Sequence, residues 1–171
     1  SLVESVDEES ISSFELENSA NPGALLSIAD QPLVATTPTL PEEFDRFLPT
    51  AELNEESDLG TLIFSTEIND EYEALNPQEI FPEGFYTLYA TFGYEGLADG
   101  MVWSWIWRHN GEIVEGGNEV WNYGDEGPGY IYLNPEEGFD AGQYSLEVWV
   151  NGELMTRSSA IMNSVSVSAN N

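Results

Sequence analysis

Residues 101–121 read M-V-W-S-W-I-W-R-H-N-G-E-I-V-E-G-G-N-E-V-W, and this stretch decides the fold. Met101, Trp103, Trp105 and Trp107 occupy every second position, the period of a β-strand that presents one face to a core. Asn110-Gly111 follows at once. Both central residues of a two-residue hairpin turn need φ > 0, and Asn-Gly adopts that conformation most readily. Residues 112–121 then predict the returning strand.

The same grammar extends in both directions. T-L-I-F-S-T-E-I (residues 61–68) and F-Y-T-L-Y-A-T-F-G-Y (residues 85–94) read as strands, the second with Tyr86, Leu88, Ala90 and Phe92 on one face. Downstream, residues 129–133 and 144–150 are strand-like, and Asn151-Gly152 turns the latter into a final strand over residues 154–167. Short strands punctuated by regular turn signals predict an all-β sandwich or barrel.

The sharpest local motif is D-A-G-Q-Y-S-L at residues 140–146. With Asp140, Gly142 and Tyr144 in place, it resembles the D-x-G-x-Y corner of immunoglobulin-like domains, in which the tyrosine hydroxyl bonds back to nearby backbone. Leu146 stands where antibody-type domains carry a cysteine, so apolar packing replaces the disulfide. The resemblance implies an immunoglobulin-like antiparallel β-sandwich over residues 59–171, with the match itself spanning about residues 59–167. Its third-strand tryptophan is one of Trp103, Trp105 and Trp107. The runs around residues 92–112 and 142–154 are also similar to accessory modules of secreted bacterial proteins, which implies an extracellular or cell-surface, non-catalytic role.

Residues 1–58 read differently, as an acidic extended arm. They carry fourteen carboxylates against Arg46 alone, and Pro22, Pro32, Pro38, Pro41 and Pro49 interrupt them. High charge with low hydrophobicity predicts a segment that does not fold in isolation. Two apolar islands stand out: Ile11, Phe14 and Leu16 in the first, and Leu26 and Ile28 in the second. Both have strand length. Pro41-Glu42-Glu43-Phe44 predicts one helical turn, with proline at its first position and acids beside it.

Composition removes several function classes. The chain of 171 residues has a formal charge of −29, with 32 acidic residues, three arginines and no lysine. A phosphate-binding surface needs clustered cations, so nucleic acid and anionic membranes are excluded as partners. No apolar run is long enough to span a bilayer as a helix. Absence of cysteine removes disulfides, thiol catalysis and cysteine-based zinc sites. Without lysine, edge strands are guarded by acids, prolines and bulges only.

Little in the sequence points to catalysis. His109 is the one histidine, sits beside a turn and lacks a nucleophile elbow. Among so many acids no carboxylate pair is singled out, and no enzyme activity is expected. Asp70, Glu71, Asp99 and Asp125 lie in acidic loops and are the candidate ligands for calcium, which takes hard oxygens. None matches a D-x-D-x-D-G loop, and solvated loop acids are the favoured explanation over a calcium site; no other cofactor is expected. Trp121, Tyr123, Tyr130, Tyr132 and Trp149 are harder to place, and strand periodicity assigns most of them to the core. An exposed cluster of them would suit sugar rings.

Two functions fit this pattern. One is a non-enzymatic extracellular structural protein that self-associates into a filament or appendage, Ile11, Phe14, Leu16, Leu26 and Ile28 being donated as arm strands to a neighbouring sandwich. The alternative is an accessory carbohydrate- or surface-binding module of a secreted protein.

Overall fold

The computed structural model describes residues 38–165. The expected helical turn is a 3-10 turn at Glu42–Phe44. Nine strands follow among the described residues: β1 (Asp58–Leu59), β2 (Ile63–Ser65), β3 (Ile80–Pro82), β4 (Leu88–Glu95), β5 (Val102–His109), β6 (Glu112–Val120), β7 (Gly127–Leu133), β8 (Gly142–Val150) and β9 (Glu153–Asn163). They form two sheets. In one, β4 lies between β7 on one side and the short β1 and β2 on the other. The other has the order β3-β9-β8-β5-β6. All pairings are antiparallel except β3 with β9. The chain therefore changes sheets between β2 and β3.

Both Asn-Gly turns form as expected. Asn110 and Gly111 have φ of 50° and 89°, and Asn151 and Gly152 have 51° and 81°. The asparagine side chains also tie the turns to neighbouring segments. Asn110 Oδ1 accepts from the Gln143 N–H at 2.9 Å. Asn151 Oδ1 accepts from the Val102 N–H at 2.9 Å, and its amide donates to Ala51 O at 2.8 Å. Each turn thus fixes a hairpin and a third strand or strap.

The core lies between the sheets. Leu88, Ala90 and Phe92 of β4 and Ile131 and Leu133 of β7 face Trp107, Leu146, Val148 and Met162 of the five-stranded sheet. Alternation along β4 matches the sequence reading from Leu88 onward, and Tyr94 extends the buried row. Full burial of each of the leucine, isoleucine, valine, phenylalanine and methionine side chains among them stabilises the fold by about 1.5–3 kcal/mol. Trp107, fully buried, is paired with Leu146 across β5 and β8. Its Nε1–H has no acceptor among the described residues, so its packing has to offset a desolvated donor.

Residues 40–57 depart from expectation. Sequence charge placed them in the arm, yet the compact unit begins at Leu40 rather than at residue 59. They form a strap held by backbone and side-chain bonds. Ser104 Oγ donates to Phe44 O at 2.6 Å, and the Arg46 N–H donates to Asn118 Oδ1 at 2.7 Å. The Thr50 N–H donates to Gly100 O at 2.8 Å, and Ser57 Oγ donates to Gly96 O at 2.6 Å. The Phe44 ring sits close enough to Gly116 that an added Cβ would lie 2.7 Å from it. Polar contacts of this kind leave no hydrophobic period in the sequence, which is why composition misassigned the segment.

The face of β5 and β8 turned away from the core carries a second buried group. Glu147 is 5% exposed and has both oxygens engaged. Arg108 Nε donates to its Oε2 at 2.8 Å, and Trp149 Nε1 donates to its Oε1 at 3.1 Å. Trp149 is thereby assigned a structural place.

Candidate functional site

Among the described residues the facing sheet ends at β7, whereas the five-stranded sheet continues to β6. The strand pattern of β6 records this. Glu115, Gly117 and Glu119 share the face that β5 fills with Trp103, Trp105 and Trp107, since they are paired with Trp107, Trp105 and Trp103 in that order. Two carboxylates on a nominally inward face mean that the sandwich is open there, because buried charge without a partner is too costly.

A cleft of about 550 Å³ opens at this edge, bounded by β5, β6, β7 and the loop before β7. Its size falls within the range of small-molecule sites. Trp103, Trp121 and Tyr94 are nearly buried and form its floor, while Tyr123, Tyr130 and Tyr132 are exposed at 52%, 37% and 54%. Trp105 is half-buried, and an added Cβ at Gly117 would overlap its indole. Glycine inside a strand marks such a close approach. Trp103 and Trp105 lie 4.6 Å apart between ring centroids, and Trp121 meets Trp103 edge-on at 5.3 Å.

Hydrogen bonds fix these rings. Glu119 Oε1 accepts from Trp103 Nε1 at 3.2 Å and from Tyr123 Oη at 3.1 Å. Tyr94 Oη donates to Tyr123 O at 2.7 Å, and Trp121 Nε1 donates to Gly124 O at 2.8 Å. Burial, with Glu119 accepting its proton, pushes the Tyr123 hydroxyl up. Burial and then Asp125 and Asp99 do the same for Tyr94. Both phenols therefore remain donors through neutral pH. Tyr72 reaches the cleft from the β2–β3 loop with φ of 63° and packs edge-on against Tyr130 at 4.8 Å. A left-handed conformation is unusual for a bulky residue. Asn69 braces the turn by accepting from the Glu71 and Glu73 N–H groups at 2.9 Å each.

The residues singled out in the sequence are thus dispersed. Trp107 belongs to the core, Trp103 to the cleft floor and Trp105 to the cleft wall, so the core explanation holds for only part of that row. Trp121, Tyr123, Tyr130 and Tyr132 assemble in the cleft, and Trp149 lies elsewhere. Tyr144 Oη accepts from the Asp140 N–H at 3.1 Å, and its ring stacks on His109 at 4.3 Å. His109 Nε2 lies 2.9 Å from Ala141 O, so this nitrogen carries the proton. Asp70 and Glu71 are exposed in the Asn69 turn, Asp125 is exposed, and Asp99 Oδ1 accepts from the Gly124 N–H at 3.0 Å. Among the described residues no group of three or more metal-ligating side chains comes together. Ile11, Phe14, Leu16, Leu26 and Ile28 lie outside the described residues. Among those described, no helix is long and apolar enough to cross a membrane.

Sequence reasoning missed Glu115, Glu119, Phe92 and Tyr94 as cleft residues. The glycine pair Gly116-Gly117 inside a strand was the available signal.

No family model matches the chain, and no curated protein matches it. Among solved structures, it is similar to the alkylpurine DNA glycosylase AlkC of Pseudomonas fluorescens bound to DNA, at 13% identity and a TM-score of 0.41, over 63% of this chain and 30% of that one. The CARDB domain of a Pyrococcus furiosus protein with di-metal ions overlaps at 10% identity and a TM-score of 0.39, over 68% of this chain and 95% of that one. A β-glucosidase from Chaetomella raphigera overlaps at 12% identity and a TM-score of 0.32, over 63% and 18%. Likeness at this level carries no argument about chemistry.

Proposed function

We propose that this protein is a non-catalytic binding module, an immunoglobulin-like sandwich of the extracellular or cell-surface space, whose β6–β7 cleft takes a saccharide. The observation that carries the reading is the set of accessible rings of Trp105, Tyr123, Tyr130 and Tyr132 around one cleft, beside carboxylate acceptors. Flat aromatic faces with a few convergent polar groups suit sugar rings, whose axial C–H faces are apolar and whose rims are hydroxyls. The strand order, the β3–β9 parallel pair and the Asp140–Tyr144 bond support the immunoglobulin-like assignment. A glycan array probed with the full chain, followed by titration of any hit against Trp105→Ala, tests it. Binding that requires Trp105 supports the module; an array with no hit from folded protein contradicts it.

Strand donation into a second copy is the other reading, favoured by the outer edge of β6, which pairs with no strand among the described residues. Charge weighs against the cleft as its acceptor. Residues 1–37 contain acids and no basic side chain, and the cleft already holds Glu115 and Glu119. Sedimentation of the chain with and without residues 1–38 separates the two: loss of polymers on deletion supports donation, and an unchanged monomer contradicts it.

A further inference from the structure

We propose that the saccharide is cationic, an oligomer carrying free amino groups, with Glu115 and Glu119 receiving its ammonium groups. This rests on the saccharide reading above and names the ligand class of the same cleft.

Three observations carry it. First, among the described residues the cleft is lined by two carboxylates and no basic side chain, within a chain of formal charge −29. Uronic and sulfated glycans are repelled by that field, and cations are concentrated by it. Second, the carboxylates flank the aromatic wall. Glu115 and Glu119 lie on one face of β6 with Gly117 between them, and the Trp105 indole rests over Gly117. An ammonium group held by either carboxylate thus lies beside an indole, where the ring quadrupole adds to the attraction. Third, the spacing favours an oligomer. Four residues of strand separate the two carboxylates by about 13 Å, beyond the reach of one hexose. Glu119 Oε1 is already committed to Trp103 and Tyr123. That bonding orients the carboxylate and leaves Oε2 as its second acceptor, while Glu115 is exposed.

The experiment is calorimetric titration of the full chain with four probes of equal length: glucosamine tetramer, its N-acetylated counterpart, cellotetraose and tetralysine. The expected result is that the glucosamine tetramer binds at least about tenfold tighter than either neutral sugar, the scale of one charge-assisted hydrogen bond. Glu115→Gln, at an exposed residue that folding does not need, should erase most of that margin. Glu119→Gln should erase the rest while its amide oxygen still accepts from Trp103 and Tyr123. Trp105→Ala should weaken all three sugars. Equal binding of the acetylated and free tetramers overturns the inference and leaves the saccharide reading standing. Tetralysine binding as tightly as the glucosamine tetramer, or glucosamine binding unchanged in Trp105→Ala, also overturns it, because bare charge would then suffice. Folded protein that binds no sugar overturns both.

Discussion

Trp105 and Gly117 face one another across the β5–β6 ladder, and the indole lies so close over the glycine that a Cβ cannot be accommodated. Gly117→Ala therefore has two opposing effects. Strand propensity favours alanine, but the indole must move out of its seat. The clash is with a large ring at the edge of the core, so it dominates. The substitution should destabilise the fold by about 1–3 kcal/mol and shift the tryptophan emission, read by urea unfolding and fluorescence.

Glu147 predicts a larger loss. Its two oxygens hold Arg108 and Trp149, and the Arg108 side chain is only 25% exposed. Glu147→Ala removes the charge-assisted bond to Arg108, which keeps its bond to Gly111 O, and leaves the buried Trp149 Nε1–H without an acceptor; together these cost about 3–5 kcal/mol. Glu147→Gln retains an acceptor and should cost less. Chemical denaturation of both variants checks the order.

Truncation locates the edge of the folded unit. A chain that begins at residue 39 keeps every strap bond named above and is the reference for a deeper truncation. Starting the chain at residue 59 deletes the partners of Ser104, Gly100, Asn118, Asn151 and Gly96. At about 0.5–1.5 kcal/mol for each bond, stability should fall by several kcal/mol. Differential scanning calorimetry of the two truncations distinguishes a strap from a passive arm.

Alkaline pH probes the tyrosines beside the corner. Tyr86 Oη donates to Pro82 O at 2.6 Å, and its ring stacks on Phe139 at 4.6 Å. Burial, and then the neighbouring Tyr144, push its pKa from 10.0 up to about 12. A folded-state pKa above the unfolded value means that the folded chain holds its proton more tightly. The associated stability is complete below pH 10 and is lost as pH rises toward about 12. Tyr86→Phe should flatten that decline, followed by circular dichroism and by phenolate absorbance.

The strand grammar was legible because it is hydrophobic and local. The alternating tryptophans and the two Asn-Gly pairs located the β5–β6 and β8–β9 hairpins within a few residues. The 3-10 turn at Glu42–Phe44 was legible too, from proline and acids at its start. The strands that escaped, β1 and β3, have two and three residues, too short to show a period. β3 is defined by its parallel partner β9, a relationship between positions about eighty residues apart. The cleft escaped for a related reason. Trp103, Trp105 and Trp107 alternate identically, and only the place where the opposing sheet stops makes Trp107 core and Trp105 a half-buried cleft wall. Glu115 and Glu119 looked like two of many surface acids until β6 showed them flanking Gly117.

The five tryptophans divide the molecule into reporters. Trp103, Trp105 and Trp121 line the cleft, whereas Trp107 sits in the core and Trp149 on the opposite sheet face. Their indole N–H signals in a ¹H–¹⁵N spectrum, followed while the glucosamine tetramer is added, test the binding cleft most directly. The account predicts saturable shifts at Trp105, with Trp103 and Trp121 following, and none at Trp107 or Trp149. Shifts confined to Trp149, or no shift at any indole, would contradict it.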